Sequence, residues 1–337
     1  MICVEQWKTH YKITIMEKTH GIKVDAPLIA SYKNGNYNVE LYGDGTKIRF
    51  GDVDKFVAKF PENIDVCVTK KCDGGCPYCY EGCTANGKHG NILVHTINGY
   101  ELPKWMKSLR PGTELALNGN DLTHPDLDEC LNLLHKQGIV TNMTVNQKHF
   151  IRNYDKLLEW QKNDLIHGLG VSLTDSDSDA LYNLLPLFKN VVIHVINGLF
   201  TVEDLMNLQS VAPKLLVLGY KHVGRGTDYY NNNFIEIETN MTNLRANLRL
   251  MVAQGWVSGI SFDNLAIEQL DVKNTLFNGD EARWSRFYMG DDGSFTMYID
   301  TVAGKYAKNS CMADTERFAV GSRTVDEMFN NIQKKYK

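Results

Sequence analysis

The chain has 337 residues, 43% of them hydrophobic, and its 36 basic and 40 acidic residues leave a formal charge of -4. That is enough apolar material for a substantial core in one large domain or two ordinary ones. The near-balanced charge, free of long single-sign blocks, argues against a nucleic-acid or membrane surface, with Lys70-Lys71 as a local anion contact at most. No apolar run approaches a membrane span and residues 1–12 lack a secretory pattern, so a cytoplasmic protein is expected.

In chain order, residues 1–62 read as an N-terminal antiparallel β meander, with Asn34-Gly35 and Asp44-Gly45 as turns between alternating segments. From residue 63 the texture changes to short apolar strands separated by amphipathic helices, the pattern of βα units around a parallel sheet. Strands are expected at 64–69, 114–118, 139–145, 169–173, 191–196 and 215–220. Between them Leu127, Cys130, Leu131 and Leu134 repeat at helical spacing, as do Leu181, Leu184, Leu185 and Phe188. A further helix carries Leu244, Leu248, Met251 and Val252, and 256–262 suits one more strand. Beyond Asp263 the sequence suggests a hairpin at Asp292-Gly293, flanked by 287–289 and 295–299. A last helix is introduced by the capping box Thr324-x-x-Glu327.

Four of the eight cysteines fall between residues 72 and 83, a clustering that points to metal or redox chemistry rather than to a disulfide framework. Cys72-Asp-Gly-Gly-Cys76-Pro-Tyr-Cys79 follows directly on the first expected parallel strand, which places three thiols at the carboxyl end of the sheet, where such folds keep their sites. Three thiolates bind three irons of a cubane and leave the fourth open to a chelating ligand. A zinc site is the alternative, with Cys83 or His89 completing the tetrahedron of a non-catalytic binding module. Cys83 is also a candidate hydrogen donor and, equally, a packed thiol.

The cysteine spacing, with an aromatic before the last thiol, resembles the hallmark of the radical S-adenosylmethionine (radical SAM) family. The resemblance implies a partial (β/α)6 TIM-like barrel at 63–262. It also implies a [4Fe-4S] cluster on Cys72, Cys76 and Cys79 with S-adenosyl-L-methionine on the open iron, so that one electron yields methionine and a 5'-deoxyadenosyl radical that takes hydrogen from substrate. An external one-electron reductant of flavodoxin or ferredoxin type is then required. The family's glycine-rich stretch after the second strand corresponds to Asn118-Gly119-Asn120-Asp121, in which Asn120 replaces the usual acid. Tyr78, Gly119, Asn120, Asn146, Ser172 and His194 are the cofactor-binding candidates that follow, with Asn142, Thr144 and Asn197 as further polar residues near strand ends.

The run Leu218-Gly-Tyr-Lys-His-Val-Gly-Arg-Gly226 is similar to a loop in peptide-modifying members, with Lys221 or Arg225 placed to meet a carboxylate. Only Cys311 lies beyond Cys130, so residues 263–337 are expected to form a small α+β cap without an auxiliary cluster. Lys221, Asp263 and Cys83 are the candidates for catalytic groups. A peptide or protein side chain is the first substrate reading, and a nucleotide or small metabolite the second.

Overall fold

The computed structural model describes residues 2–4, 22–120 and 122–336. Residues 5–21 of the expected meander and Asp121 of the glycine-rich stretch lie outside the described residues. The fold is mixed α/β, built on one large and mostly parallel sheet.

The N-terminal segment forms a four-stranded antiparallel sheet of β1 (Ile2–Val4), β2 (Leu28–Asn34), β3 (Tyr37–Tyr42) and β4 (Lys47–Phe50), in the order β1-β4-β3-β2. Asn34 pairs with Tyr37 across a two-residue loop. Gly35 supplies the positive φ of 63° that this turn needs. A Cβ there would also strike the Val57 carbonyl, which packs directly onto the turn.

The main sheet comprises β5 (Asn63–Cys67), β8 (Glu114–Asn120), β9 (Val140–Asn146), β10 (Gly168–Ser172), β11 (Val191–Ile196), β12 (Lys214–Leu218), β13 (Gly259–Phe262), β14 (Thr296–Asp300), β15 (Lys305–Ala307) and β16 (Phe318–Ala319). A separate exposed hairpin, β6 (Val94–Thr96) with β7 (Gly99–Glu101), projects between β5 and β8. The main-sheet order is β13-β12-β11-β10-β9-β8-β5-β14-β15-β16. All pairs from β13 through β14 are parallel, while β15 and β16 add antiparallel strands at the edge.

The six expected strands are all present, and β13 is the additional one at 256–262. The hairpin expected at Asp292-Gly293 does not form. Residues 281–287 are helical, and β14 pairs instead with β5 and β15. Local turn chemistry at Asp292-Gly293 is outweighed by the free edge of β5, whose backbone groups need a partner. The glycine run at the end of β12 is likewise not all loop, since Arg225 and Gly226 begin the helix Arg225–Ala253.

Alternation divides the parallel strands into two faces. Leu115, Leu117, Met143, Val145, Val171, Ile193, Val195, Leu215 and Val217 are buried in one cluster with Leu127, Cys130, Leu131 and Leu134 of the helix Leu127–Lys136. The opposite face carries half-buried Asn118, Asn120, Asn142, Thr144, Asn146, Ser172 and His194. Strand register brings Asn146, Ser172 and His194 side by side. The apolar face accounts for the core, and the polar face is left for a site.

The N-terminal sheet packs against the amino ends of the parallel strands through buried charges. Arg49 Nε donates to both oxygens of Glu62 at 2.9 and 3.0 Å, and Tyr37 donates its phenol to the same carboxylate. Lys47 pairs with Glu114 at 2.5 Å and lies 4.0 Å from Glu62. The carboxyl ends are left for the cysteine loop. Among the described residues no helix is long and apolar enough to cross a membrane.

Candidate active site at the strand carboxyl ends

The segment after β5 folds back on itself, held by backbone bonds from Lys70 N to Lys88 O (2.8 Å), Cys72 N to Thr84 O (2.8 Å) and Thr84 N to Lys70 O (3.1 Å). Cys72, Cys76 and Cys79 lie in this loop as half-buried thiols outside any disulfide. Gly75 and Gly82 take φ of 72° and 68°, which lets the chain reverse on either side of Cys76 and Cys79. Gly74 donates its N–H to the Cys72 sulfur at 3.3 Å, and a Cβ at Gly74 would lie 3.2 Å from that sulfur.

The ends of β8 and β9 complete the surround. Asn146 Nδ2 donates to the Cys76 sulfur at 3.4 Å, while its Oδ1 caps the next helix by accepting from Lys148 N. Asn120, in the left-handed region at φ 47° beside a register shift in β8, donates to Thr69 O (2.9 Å) and to the Cys83 sulfur (3.4 Å). Its amide group is thus committed to the loop, which directs the side-chain oxygen's acceptor capacity to other donors. The His149 Nε2 lies 3.4 Å from the Cys72 sulfur and 3.2 Å from Asp73. Arg152 bonds Asp73 at 3.0 Å and holds that carboxyl below the usual carboxylate range.

Electrostatics separate the four loop thiols. The neighbouring Cys83 thiol draws the Cys79 pKa down to about 6, and Cys79 in turn pushes Cys83 up. Burial raises Cys76. N–H and S–H donors aimed at sulfur favour the thiolate, the form that binds metal. Three half-buried thiols with donors on their sulfurs, and a glycine leaving room beside Cys72, fit a cluster held at three corners.

Tyr78 bonds Cys76 and meets Tyr229 edge to face at 5.6 Å. Gly119 points toward the core side, where a Cβ would strike Met143 and Leu122. Ser172 and His194 share the polar row with Asn146, and Gly170 makes room for the imidazole, since a Cβ at 170 would sit 2.4 Å from His194 Cε1. Burial lowers the His194 pKa to about 4, so the ring is neutral at physiological pH. Asn142 binds Glu114 at the amino end of the sheet, and Asn197, at the carboxyl end of β11, binds Gln269.

Lys221 and Asp263 come close to one another. Burial pulls the Lys221 ammonium down, but Tyr80, Cys311 and Asp263 outweigh it and hold the ammonium charged. Its Nζ sits 4.0 Å over the Tyr80 ring and 3.3 Å from Ser310 Oγ. Burial raises Asp263, yet its Oδ1 accepts from Gly219 N (2.9 Å) and Ala266 N (2.7 Å) as the cap of the helix Asn264–Gln269. Arg225 bonds the Cys76 carbonyl at 3.1 Å and the Cys83 carbonyl at 3.0 Å, clamping the loop. His89 bonds Thr69 at 2.9 Å and packs on His124.

Sequence reasoning missed His149, Arg152, Glu81, Asp300 and Arg317. All but Glu81, which lies in the loop itself, act on the loop from distant elements, and no local pattern marks any of them. A cleft of about 730 Å³ on the outer helices, among Asp128, Lys156 and Trp160, has no thiol in its lining.

No protein-family model and no curated protein matches the sequence. Among solved structures, Streptococcus suis SuiB bound to S-adenosylmethionine superposes with a TM-score of 0.52 at 14% identity, covering 82% of this chain and 68% of SuiB. The chain shares the fold of SuiB. SuiB bound to the precursor peptide SuiA matches at a TM-score of 0.42 and 15% identity, over 75% of this chain and 60% of SuiB. Native anSMEcpe with bound AdoMet matches at 0.46 and 13%, over 81% and 83%. In this shared fold, the cysteine loop follows β5 and faces the polar row of β9, β10 and β11.

Proposed function

We propose that the protein is a radical SAM enzyme acting on a peptide or protein side chain, its sheet serving as a partial (β/α)6 barrel. The reading is carried by one observation: three half-buried thiols at Cys72, Cys76 and Cys79, each with a polar donor or thiol beside it, gathered at the carboxyl ends of parallel strands. These residues would hold a [4Fe-4S] cluster. Bound there, the cluster would supply the one electron for cleaving the sulfonium of S-adenosyl-L-methionine, chemistry that in the family ends in hydrogen abstraction from substrate by a 5'-deoxyadenosyl radical.

The chain's own part is to bind and orient. Asn146 and Gly74 hold the sulfurs of Cys76 and Cys72 in place, and the Asn120 oxygen is offered to an ammonium donor at the end of β8. Ser172 and neutral His194 line the polar face without adding charge. Lys221 is a cation held above its ordinary pKa near Tyr80 and Cys311, suited to fixing a substrate carboxylate. The peptide reading draws on SuiB, which shares the fold and also binds a precursor peptide.

Anaerobic reconstitution with iron and sulfide, followed by reduction in the presence of S-adenosyl-L-methionine, tests the chemistry. Deoxyadenosine is expected from the native chain and none from Cys76→Ala. Zinc near one equivalent with no iron uptake would instead establish the non-catalytic module. Deuterium transfer into deoxyadenosine from labelled peptides, rather than from labelled nucleosides or metabolites, decides the substrate class.

A further inference from the structure

Lys70 stands two residues before Cys72 and Glu81 two residues after Cys79, so the two bracket the thiols. Their side chains meet each other, and the Lys70 ammonium also lies 3.5 Å from Asp300 at the end of β14. Arg317 reaches the same Asp300 oxygen at 3.5 Å, and Tyr298 donates its hydroxyl to Glu81 at 3.2 Å. Asp300 is 3% exposed, and Lys70, Glu81 and Arg317 are also sheltered. Two cations and two anions are therefore balanced inside the protein, joining both flanks of the cysteine loop to a strand more than two hundred residues away.

The Cys67, Glu81 and Asp300 donor atoms lie within 4.8 Å of one another, a spacing that would otherwise invite a metal ion. Lys70 and Arg317 already supply the positive charge there. Arg317 is itself fixed by the carbonyls of Ser310 (2.8 Å) and Met312 (2.9 Å), and Ser310 Oγ is the acceptor for Lys221. The C-terminal segment thus touches the cysteine loop and the end of β12 through one connected set of bonds.

We infer that Asp300 and Arg317 are positioning residues for the cysteine loop, holding Lys70 and Glu81 so that the three thiols are preformed before a cluster arrives. The inference rests on the radical SAM reading for its purpose, though not for its test. A loop that carries three ligands and few apolar anchors must otherwise be ordered by the metal itself, at an entropic cost that lowers affinity. Removing the Asp300 charge leaves Glu81 alone to balance Lys70 and Arg317 in a sheltered site, which favours an open loop.

The test uses the full chain with Asp300→Asn, Arg317→Met and Arg317→Lys, and Cys76→Ala as a control. In the cluster-free proteins, amide hydrogen exchange across 69–84 should rise several-fold in Asp300→Asn and Arg317→Met relative to the strands β8 to β11. It should stay near native in Arg317→Lys, which keeps the charge. After reconstitution, the first two should retain less than half of the native iron and show a broadened electron paramagnetic resonance signal. Unchanged exchange in 69–84 together with native iron content in Arg317→Met would overturn the inference. Should Asp300→Asn fail to fold, the Arg317 pair decides alone. If the native chain takes up no cluster, the functional reading falls while the exchange comparison still judges the positioning role.

Discussion

Glu62→Gln is the most informative probe of how the N-terminal sheet is held to the rest of the molecule. The native carboxylate is fully buried, accepts two bonds from Arg49 and one from Tyr37, and lies 4.0 Å from Lys47. The amide is the same size but neutral, and its NH2 group must face at least one existing donor. Lys47 keeps Glu114 at 2.5 Å, so the cation that loses its carboxylate is Arg49, which keeps among other contacts a carbonyl bond to Met289 and the face of Phe295 at 3.8 Å. Breaking one side of a buried pair costs about 3–5 kcal/mol. The remaining carbonyl and ring contacts of Arg49 place the expectation near the lower end, about 3 kcal/mol. Urea unfolding followed by circular dichroism measures it. The double change Arg49→Met with Glu62→Leu removes both charges and should recover at least about 1 kcal/mol relative to the sum of the two single changes. A loss below about 1 kcal/mol for Glu62→Gln, or strict additivity in the cycle, would show that the charges do not hold this interface.

Cys83→Ala should leave reconstituted iron near the native level, whereas Cys79→Ala should lose most of it; equal losses in iron analysis would make Cys83 a ligand rather than a hydrogen-bond donor to Cys79. Gly170→Ala should displace His194, because a Cβ there lies 2.4 and 2.6 Å from its ring atoms. A destabilisation of about 1–3 kcal/mol is expected in urea unfolding. His194 has a folded pKa of about 4, below its unfolded value of about 6.5, and burial lowers His124 and His167 as well. The unfolded chain therefore binds more protons, so these groups make stability fall as pH drops from about 6.5 toward 4, with full stability retained above that window. A denaturation midpoint that is flat or rising on acidification through this range would contradict the assignment, once the carboxylates are accounted for.

The sequence by itself determined the parallel strands, the apolar faces and the cysteine loop, because each depends on neighbours a few residues apart. Alternation in β8 and β9 separates Leu117 and Met143 from Asn118 and Thr144, helical spacing marks the helix Leu127–Lys136, and the three thiols sit within eight residues. Turn chemistry was equally local at Asn34-Gly35, and the capping box at Thr324 is formed by bonds to Glu327. Asp292-Gly293 carried the same signal and made no hairpin, since the edge of β5 offered β14 a full parallel ladder instead.

Only the tertiary structure decided what surrounds the thiols. His149 reaches Cys72 across 77 residues, Arg225 reaches the Cys76 carbonyl across 149, and Asp300 meets Lys70 from β14. Such contacts are created when strands distant in the chain become neighbours in one sheet. Their partners carry no periodic or motif signature. The spacing of the three thiols is a local fact of the chain, while their positioning is set by charges and amides that the sheet order brings together.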